Sequence, residues 1–492
     1  MRRNAPLGII LCLQAILLFY RLDLLSMWMD ERITYLLAAH PFGEIVGIVQ
    51  RDVHPPLYYV LLHAWTRLPL PWQGIAALRA FSALWALAAT LLLDGLWTRR
   101  WKPGRRWLAV SLFALSPCLL LYGRMARSYA MQTALAILAA GLLWRWLRDP
   151  DSPVRDHLAA AAALVALLYT HYVPGIALLA GFTAAAWRPL GARRTGVFLA
   201  VGLAGYLPWI LTLYQALRSW GQPGHFAAGY ALTGNAFTEQ FLKIGYGLVS
   251  LTIGESFWAV SLALVPVALW LVWLGMRSCS GGGRLLAFLG LAAGVGYLGT
   301  ARWVSFPFVP ARLLWLLPVA ILAMAQGIFR LRAPWRQVVA GAMTLSYLSS
   351  AALYFRGENY LNTGYSAPLR EIGERLNREA APGDIILVDD YNTDDSVRYY
   401  FSGRTPSLTL RAGGEEEARA RLAGAKAVWV IRNTRDISPG HITSLLEAEG
   451  CAGRRRQDTL LHPYAPWQVS VMGLLGIARP APRYVYQVTV CR

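Results

Sequence analysis

Charged residues are scarce in this sequence, and the scarcity is confined to the first 355 residues. Only 15% of the 492 residues are charged and 56% are hydrophobic, whereas an ordinary soluble protein carries about 25% charged residues. Residues 1–355 hold 11 acidic and 29 basic side chains, and residues 356–492 hold 16 and 18. The first part is therefore too apolar for a soluble domain, and the second has the composition of a globular one.

Motifs for metals, nucleotides and nucleic acids are also missing. The five cysteines include no Cys-x-x-Cys pair and no Cys/His set with ligand spacing, which argues against a structural zinc site. Residues 356–492 lack a glycine-rich phosphate loop, and no stretch of the chain combines basic and aromatic residues as nucleic-acid-binding proteins do. We therefore predict no metal, no nucleotide cofactor and no nucleic acid partner.

Apolar stretches of about 15 to 22 residues recur through the first 355 residues, near the length of a membrane-spanning helix. They predict an all-α polytopic membrane domain over residues 1–355 with about 11 transmembrane helices. No small-residue cleavage site follows the first stretch, so we expect it to be retained. The short pair 157–171 and 173–187 also fits a tilted or re-entrant hairpin. The predicted spans are 7–25, 77–97, 107–123, 128–147, 157–171, 173–187, 195–215, 256–276, 284–300, 311–330 and 336–355.

The basic residues between these spans predict the orientation of the chain. If the N-terminus is cytoplasmic, 18 of the 29 basic residues in the first part fall in cytoplasmic loops, as the positive-inside rule favours. An odd number of spans then places residues 356–492 outside the cytoplasm.

Residues 356–492 alternate helix and strand patterns, which predicts an extracytoplasmic α/β domain. Strands are predicted at 384–389, 427–431 and 484–490, and helices at 366–380, 394–402, 415–423 and 441–449. Cys451 and Cys491 both fall in this domain. In an oxidising compartment they could form a disulfide; the alternative is two buried free thiols.

Few acidic residues could act as a base on the outer side. The first external loop, about 26–76, contains Asp30 directly after the first span, flanked by Trp28 and Met29. A carboxylate shielded from water has a raised pKa and can serve as a general base. The alternative is a solvated loop acid that caps a helix over 31–39.

A rigid turn follows in the same loop. Asp52 and His54 stand just before Pro55 and Pro56, which fix the backbone and open a predicted helix over 57–66. His54 would lie at the N-terminus of that helix, where anions bind readily. The alternative is a packing turn with a surface histidine.

Several basic side chains are predicted at the outer ends of the spans, against the positive-inside bias. Arginine suits bidentate phosphate binding, although a single arginine there could also extend to lipid headgroups. As a set beside an acidic loop, these residues indicate an anionic ligand. They are Arg124, Arg127, Arg302 and Arg312, with His171 capping the short hairpin.

In these motifs the sequence resembles the GT-C integral-membrane glycosyltransferases, in the branch of the protein O-mannosyltransferases and the lipid A aminoarabinose transferases. The similarity covers mainly residues 1–360. The residues that carry it are Trp28-Met29-Asp30-Glu31, the run Asp52 to Tyr59 (DVHPPLYY), Arg124-x-x-Arg127-x-Tyr129 and Phe308-x-Pro310-x-Arg312.

The resemblance implies inverting transfer of one sugar from a polyprenyl-phosphate donor to an acceptor on the non-cytoplasmic face, without a general metal requirement. Asp30 would be the general base, and Glu31 would support it or orient the acceptor. The aminoarabinose branch has a lysine near the donor phosphate where this chain has His54. The implied phosphate-binding residues are His54, Arg124, Arg127, Arg302 and Arg312, and the other substrate-site candidates are Asp52, Tyr58, Tyr59 and His171.

We therefore expect a glycosyltransferase of a bacterial cytoplasmic (inner) membrane. Its partners would be membrane lipid, a polyprenyl-phosphate-linked sugar and a glycan, lipid or protein acceptor. One alternative is a flippase or transporter of polyprenyl-linked phosphates without transferase activity, for which inverted repeats and broken midplane helices would be typical. Another is a polymerase or ligase that uses a diphosphate donor.

Overall fold

The computed structural model of the chain describes residues 5–51, 54–187, 189–220, 236–277, 310–388, 391–409, 415–433, 447–474 and 484–492, with 288, 290 and 292–294. These residues form two compact units. The membrane unit comprises residues 5–22 and 34–356, and the α/β unit comprises Asp23–Ile33 and Gly357–Arg492. The membrane unit ends at Arg356, one residue after the predicted boundary at 355. The grouping of the short segment 23–33 with the C-terminal domain was not predicted.

The membrane unit is built from α-helices, and the second of them begins in the segment that groups with the α/β unit. Their bounds are α1 Ala5–Phe19, α2 Met29–Ala39, α3 Phe42–Val49, α4 Leu57–Thr66, α5 Gly74–Leu93, α6 Pro103–Ala114, α7 Pro117–Gly123, α8 Tyr129–Arg148, α9 Val154–Thr170, α10 Tyr172–Ala186, α11 Gly191–Trp220, α12 Ala236–Ile253, α13 Leu264–Met276, α14 Leu317–Ile328 and α15 Ala333–Arg356. Short 3₁₀ helices, Ala259–Ala263 and Pro310–Leu316, lead into α13 and α14. A π-helical turn, Asp94–Thr98, extends α5.

Six helical stretches among the described residues are long and apolar enough to cross a bilayer, which confirms a multi-pass membrane protein. The predicted span 107–123 is a pair of helices, α6 and α7, bent by 44° where Pro117 opens the second. The predicted span 284–300 lies mostly outside the described residues, and the total of eleven stays a prediction. Helices α9 and α10 form the predicted short pair, with His171 between them.

Glycines let two of these helices approach closely. A Cβ atom on Gly275 of α13 would overlap the carbonyl oxygen of Ala323, and one on Gly327 of α14 would overlap that of Leu271. Small residues at such crossings let helix backbones touch, and van der Waals packing of this kind helps to hold helices together in lipid. The α13–α14 contact therefore depends on both glycines.

The connection between α5 and α6 contains a buried ion pair. The Nε and Nη2 atoms of Arg106 each lie 2.6 Å from an oxygen of Asp94, and Thr98 donates to the same carboxylate at 2.9 Å. Arg106, one of the basic residues between the predicted spans 77–97 and 107–123, is therefore neutralised inside the protein by a bidentate contact.

The α/β unit contains a five-stranded sheet in the order β2-β1-β3-β5-β4. Strands β2, β1 and β3 are parallel, and β5 runs antiparallel to β3 and β4. The structure adds β2, β4 and the last helix to the predicted elements; the predicted helix 441–449 lies largely outside the described residues. The elements are α16 Leu369–Glu379, β1 Ile385–Val388, α17 Tyr391–Tyr400, β2 Ser407–Thr409, α18 Glu415–Ala423, β3 Val428–Asn433, β4 Arg456–Pro463, α19 Pro466–Leu474 and β5 Tyr484–Cys491.

Both faces of the central strands are buried, which explains their unbroken apolar sequence. Ile386 and Trp429 lie in one core cluster together with Val397 of α17, and Leu387 and Val430 lie in a second. Cys491 at the end of β5 forms a disulfide with Cys451, with a Cα–Cα distance of 5.1 Å. Of the two alternatives that the sequence left open, the structure contains the bridge.

Candidate functional site

Arg127 is the centre of a polar site in the membrane unit. It lies in the turn between α7 and α8 and is 4% exposed. Its Nη1 atom donates to the hydroxyls of Thr34 at 3.2 Å and Tyr59 at 3.1 Å, and Nη2 lies 2.9 Å from Nε2 of His54. Because a guanidinium can only donate, Nε2 of His54 accepts this hydrogen bond. The structure thus brings together His54, Tyr59 and Arg127, which the sequence predicted separately.

The tyrosine pair of α4 holds Arg127 from two directions. Tyr58 donates to Ser82 of α5 at 2.9 Å, and Ser82 donates to the backbone oxygen of Arg127 at 3.2 Å. Tyr59 binds the guanidinium and lies edge-on to His54 with ring centres 6.4 Å apart. Both tyrosines are buried, so the two prolines that open α4 place a rigid frame around the arginine.

Two further basic residues complete this group. His171 is buried at the junction of α9 and α10, within electrostatic range of His54, Arg127 and Arg312. Its Nδ1 atom has no hydrogen-bond partner among the described residues. Arg312 is half-buried on the 3₁₀ helix that precedes α14. We call His54, Arg127, His171 and Arg312 the basic cluster.

Arg124 is not part of this cluster. It is 2% exposed, and its three nitrogens donate to the backbone oxygens of Leu17, Leu18 and Arg21 and to the hydroxyl of Tyr354. The last carbonyls of a helix have no partner within the helix, so Arg124 caps the C-terminal end of α1. This geometry is a structural role, and we leave Arg124 out of the proposed phosphate site.

The candidate base and its neighbour lie in the first turn of α2, within the α/β unit. Glu31 is 1% exposed, and its carboxylate accepts from the backbone N–H of Trp28 at 3.4 Å. A glutamate at the third helical position that reaches back to the residue before the helix is half of a capping box. Asp30 is half-buried. Helix α2 begins before residue 31, so Asp30 belongs to the helix and does not precede it.

Two predicted site residues cannot be placed, and two residues of the site were not predicted. Asp52 and Arg302 lie outside the described residues, so their predicted roles stay predictions. Thr34 and Ser82 were missed, although Thr34 follows Asp30 by one helical turn and Ser82 is a hydroxyl in an apolar helix.

Glu255 is a second buried polar site that the sequence did not single out. It lies in the connection between α12 and the next 3₁₀ helix, outside both, and is 1% exposed. Tyr122, Ser250 and Tyr246 donate to its carboxylate at 2.5, 2.8 and 2.9 Å. Burial raises the pKa of Glu255 to about 7, and the three hydrogen bonds offset part of that rise.

An apolar cavity lies along the helix that follows Arg312. Its walls include Trp315, Pro318 and Leu322 on one side and Trp97 and Trp101 on another. Residues three apart on a 3₁₀ helix share a face, so Trp315 stands on the same face as Arg312. The wall of the cavity therefore begins one turn after a residue of the basic cluster.

Comparison with known proteins finds similarity in structure only. No protein-family model and no curated protein sequence matches the chain. The fold is similar to that of ArnT from Cupriavidus metallidurans in the apo state, with a TM-score of 0.57 and 14% identity over 100% of this chain and 98% of that one. ArnT bound to undecaprenyl phosphate gives a TM-score of 0.55 and 14% identity over 99% and 98%.

A more distant similarity is found to the Archaeoglobus fulgidus oligosaccharyltransferase in the apo form, with a TM-score of 0.50 and 10% identity over 87% of this chain and 70% of that one. The chain therefore shares the fold of these structures, and the predicted resemblance is confirmed at the level of the fold.

Proposed function

We propose that this protein is a glycosyltransferase that moves one sugar from a polyprenyl phosphate to an acceptor outside the cytoplasm, with inversion at the anomeric carbon. The observation that carries the proposal is the basic cluster, in which Arg127 is held against His54 and Tyr59 by hydrogen bonds, together with an apolar cavity whose wall begins one helical turn after Arg312. A phosphate attached to a long hydrocarbon matches both features.

The basic cluster is suited to the leaving group of this reaction. When the bond between the anomeric carbon and the phosphate oxygen breaks, the departing lipid phosphate gains negative charge. Arg127 and Arg312 supply positive charge at fixed positions, and fixed charges stabilise a developing anion without reorganisation. Arg302 stays a candidate for the same role.

Asp30 supplies the base in this proposal. The acceptor hydroxyl attacks the anomeric carbon from the face opposite the phosphate, and its proton passes to the Asp30 carboxylate. The assignment of the base to Asp30 follows the predicted resemblance, in which the acid directly after Trp28-Met29 has this role.

We propose that the protein lies in a bacterial inner membrane with its N-terminus in the cytoplasm and its α/β unit outside. The loop charges support this orientation, and so does the disulfide between Cys451 and Cys491, since disulfides persist in oxidising compartments. A reporter fused after Arg492 that is active only in the cytoplasm would overturn it.

Cell-envelope glycans test the function directly. We expect mass spectrometry of a strain lacking the gene to reveal the loss of one sugar, which the wild-type gene restores. Asp30→Asn should not restore it, whereas Glu44→Gln should, because Glu44 is an exposed acid of the same predicted external loop. Purified protein in vesicles separates the alternatives: a flippase would move the lipid-linked sugar across the bilayer without consuming it, which would refute the proposal.

A further inference from the structure

We propose that the C-terminal α/β domain is a positioning device for the base, acting through Tyr365, Asp395 and Tyr400 on the residues that flank Asp30. This inference rests on the proposed function, because it takes Asp30 as the base. It assigns a role to the domain, which the motifs in the sequence leave without one.

The domain holds the chain just before Asp30. The hydroxyl of Tyr400 accepts from the backbone N–H of Met27 at 2.6 Å. The ring of Trp28 packs edge-on against Tyr365, with ring centres 5.3 Å apart. One residue earlier, the hydroxyl of Ser26 accepts from the backbone N–H of Arg370 at 3.1 Å. Three consecutive residues, 26 to 28, are therefore attached to the C-terminal part of the chain.

The domain also holds the chain just after Asp30. The guanidinium of Arg32 forms an ion pair with Asp395, with Nε and Oδ1 3.4 Å apart, and lies 5.8 Å from the ring centre of Tyr399. The side chains of Arg32 and Asp395 are 15% and 22% exposed. A pair this shielded is screened less by salt than a surface pair.

The contacts on α17 are themselves anchored. Asp395, Tyr399 and Tyr400 all belong to this helix, and Val397 between them is buried in the core with Trp429 of β3. Movement of α17 would therefore disturb the core of the domain. The first turn of a helix otherwise frays readily, and here residues on both sides of Asp30 are tied to a packed element.

Positioning of this kind matters for a general base. A displacement of about 1 Å at a reacting group can cost roughly 100-fold in rate. The contacts above set the place of Asp30 and touch no residue of the basic cluster. Their loss should therefore lower kcat and leave the affinity for lipid phosphate unchanged.

The test uses the full chain in lipid nanodiscs and three variants. Tyr400→Phe removes the hydroxyl and keeps the ring. Asp395→Asn removes the negative charge, whereas Asp395→Glu keeps it on a longer side chain. Glu449→Gln is the matched control, because Glu449 pairs with Arg419 on the surface of the same domain. Three quantities are measured: kcat with the donor identified from the glycan comparison, the Kd for undecaprenyl phosphate, and hydrogen–deuterium exchange of peptides covering residues 23–33.

We expect Tyr400→Phe and Asp395→Asn to lower kcat about tenfold or more, with unchanged Kd and faster exchange in residues 23–33. Asp395→Glu should recover part of the rate, and Glu449→Gln should behave as wild type. Wild-type kcat in both Tyr400→Phe and Asp395→Asn would overturn the inference, as would equal losses in the control. If the wild type neither transfers sugar nor binds undecaprenyl phosphate, the proposed function has failed, and the exchange data alone decide whether the domain holds the segment.

Discussion

Replacing Arg312 by alanine should weaken the binding of undecaprenyl phosphate while the fold persists. Arg312 is half-buried and its charge reaches His171 inside the basic cluster. A hydrogen bond to a charged group contributes about 1.5–3 kcal/mol, and about 1.4 kcal/mol corresponds to tenfold in Kd. We therefore expect Kd to rise roughly 10- to 100-fold. Transfer activity should fall further if Arg312 also stabilises the departing phosphate.

Arg124 provides the matched control, since the sequence analysis predicts the same phosphate-binding role for both arginines. Arg124→Ala removes hydrogen bonds to three backbone oxygens at the end of α1 and to Tyr354. Each buried acceptor left without its donor costs about 1–3 kcal/mol. We expect a clearly lower Tm for this variant, and near wild-type affinity for lipid phosphate in the protein that stays folded.

Thermal unfolding and lipid binding, measured on the same detergent-purified samples, separate the two effects. Arg312→Ala should change binding and leave Tm nearly unchanged, and Arg124→Ala should do the reverse. Unchanged Kd in Arg312→Ala would show that Arg312 only extends toward lipid headgroups. A loss of affinity in Arg124→Ala as large as that in Arg312→Ala would show that Arg124 also belongs to the phosphate-binding site.

Three further predictions follow from single sites. Asp30→Asn keeps the shape of the side chain and removes the base, so activity should fall about 100-fold or more with normal membrane expression. If this variant transfers sugar almost normally and Glu31→Gln is inactive, the base is Glu31 and not Asp30. Because burial raises the pKa of Glu255 to about 7, its protonated form stabilises the fold most below about pH 4.5, and up to about 3 kcal/mol is lost as pH rises through 7. As the pH rises through this range, the Tm of wild type should therefore fall relative to that of Glu255→Gln. A Tm difference between the two proteins that does not change with pH would contradict the argument. Cys451 and Cys491 should resist alkylation in denatured, unreduced protein, and full labelling of both would rule out the bridge.

The fold was largely predictable because its signals are local. Apolar length gives membrane helices and alternating patterns give strands, so the two-part architecture and three strands of the sheet could be expected. Strands β2 and β4 were missed for physical reasons: β2 has only three residues, and β4 (RQDTLLHP) lies at the edge of the sheet with a mostly exposed, polar sequence. The grouping of residues 23–33 with the C-terminal domain depends on contacts more than 300 residues apart in sequence, which no local pattern encodes.

The residues of the candidate site could largely be predicted from the sequence, but their hydrogen-bond partners could not. The sequence placed His54, Tyr59 and Arg127 among the site residues, and the structure joins them by hydrogen bonds. It could not tell that Arg124, three positions before Arg127, faces the end of α1. Two arginines in one turn differ in surroundings because consecutive residues point in different directions, and the partners come from helices far away in the chain.

Three buried arginines of the membrane unit show what distinguishes a binding residue from a structural one. Arg106 meets the carboxylate of Asp94, so its charge is cancelled within the protein. Arg124 is directed at helix carbonyls, whose partial charges it offsets. Arg127 instead donates to the side chains of Thr34, Tyr59 and His54, which belong to two separate parts of the chain and fix the position of its guanidinium. A positive charge held at a fixed position stabilises a departing phosphate without reorganisation. This fixed geometry, more than the number of arginines, is the reason we propose to place the lipid phosphate at Arg127 and its neighbours.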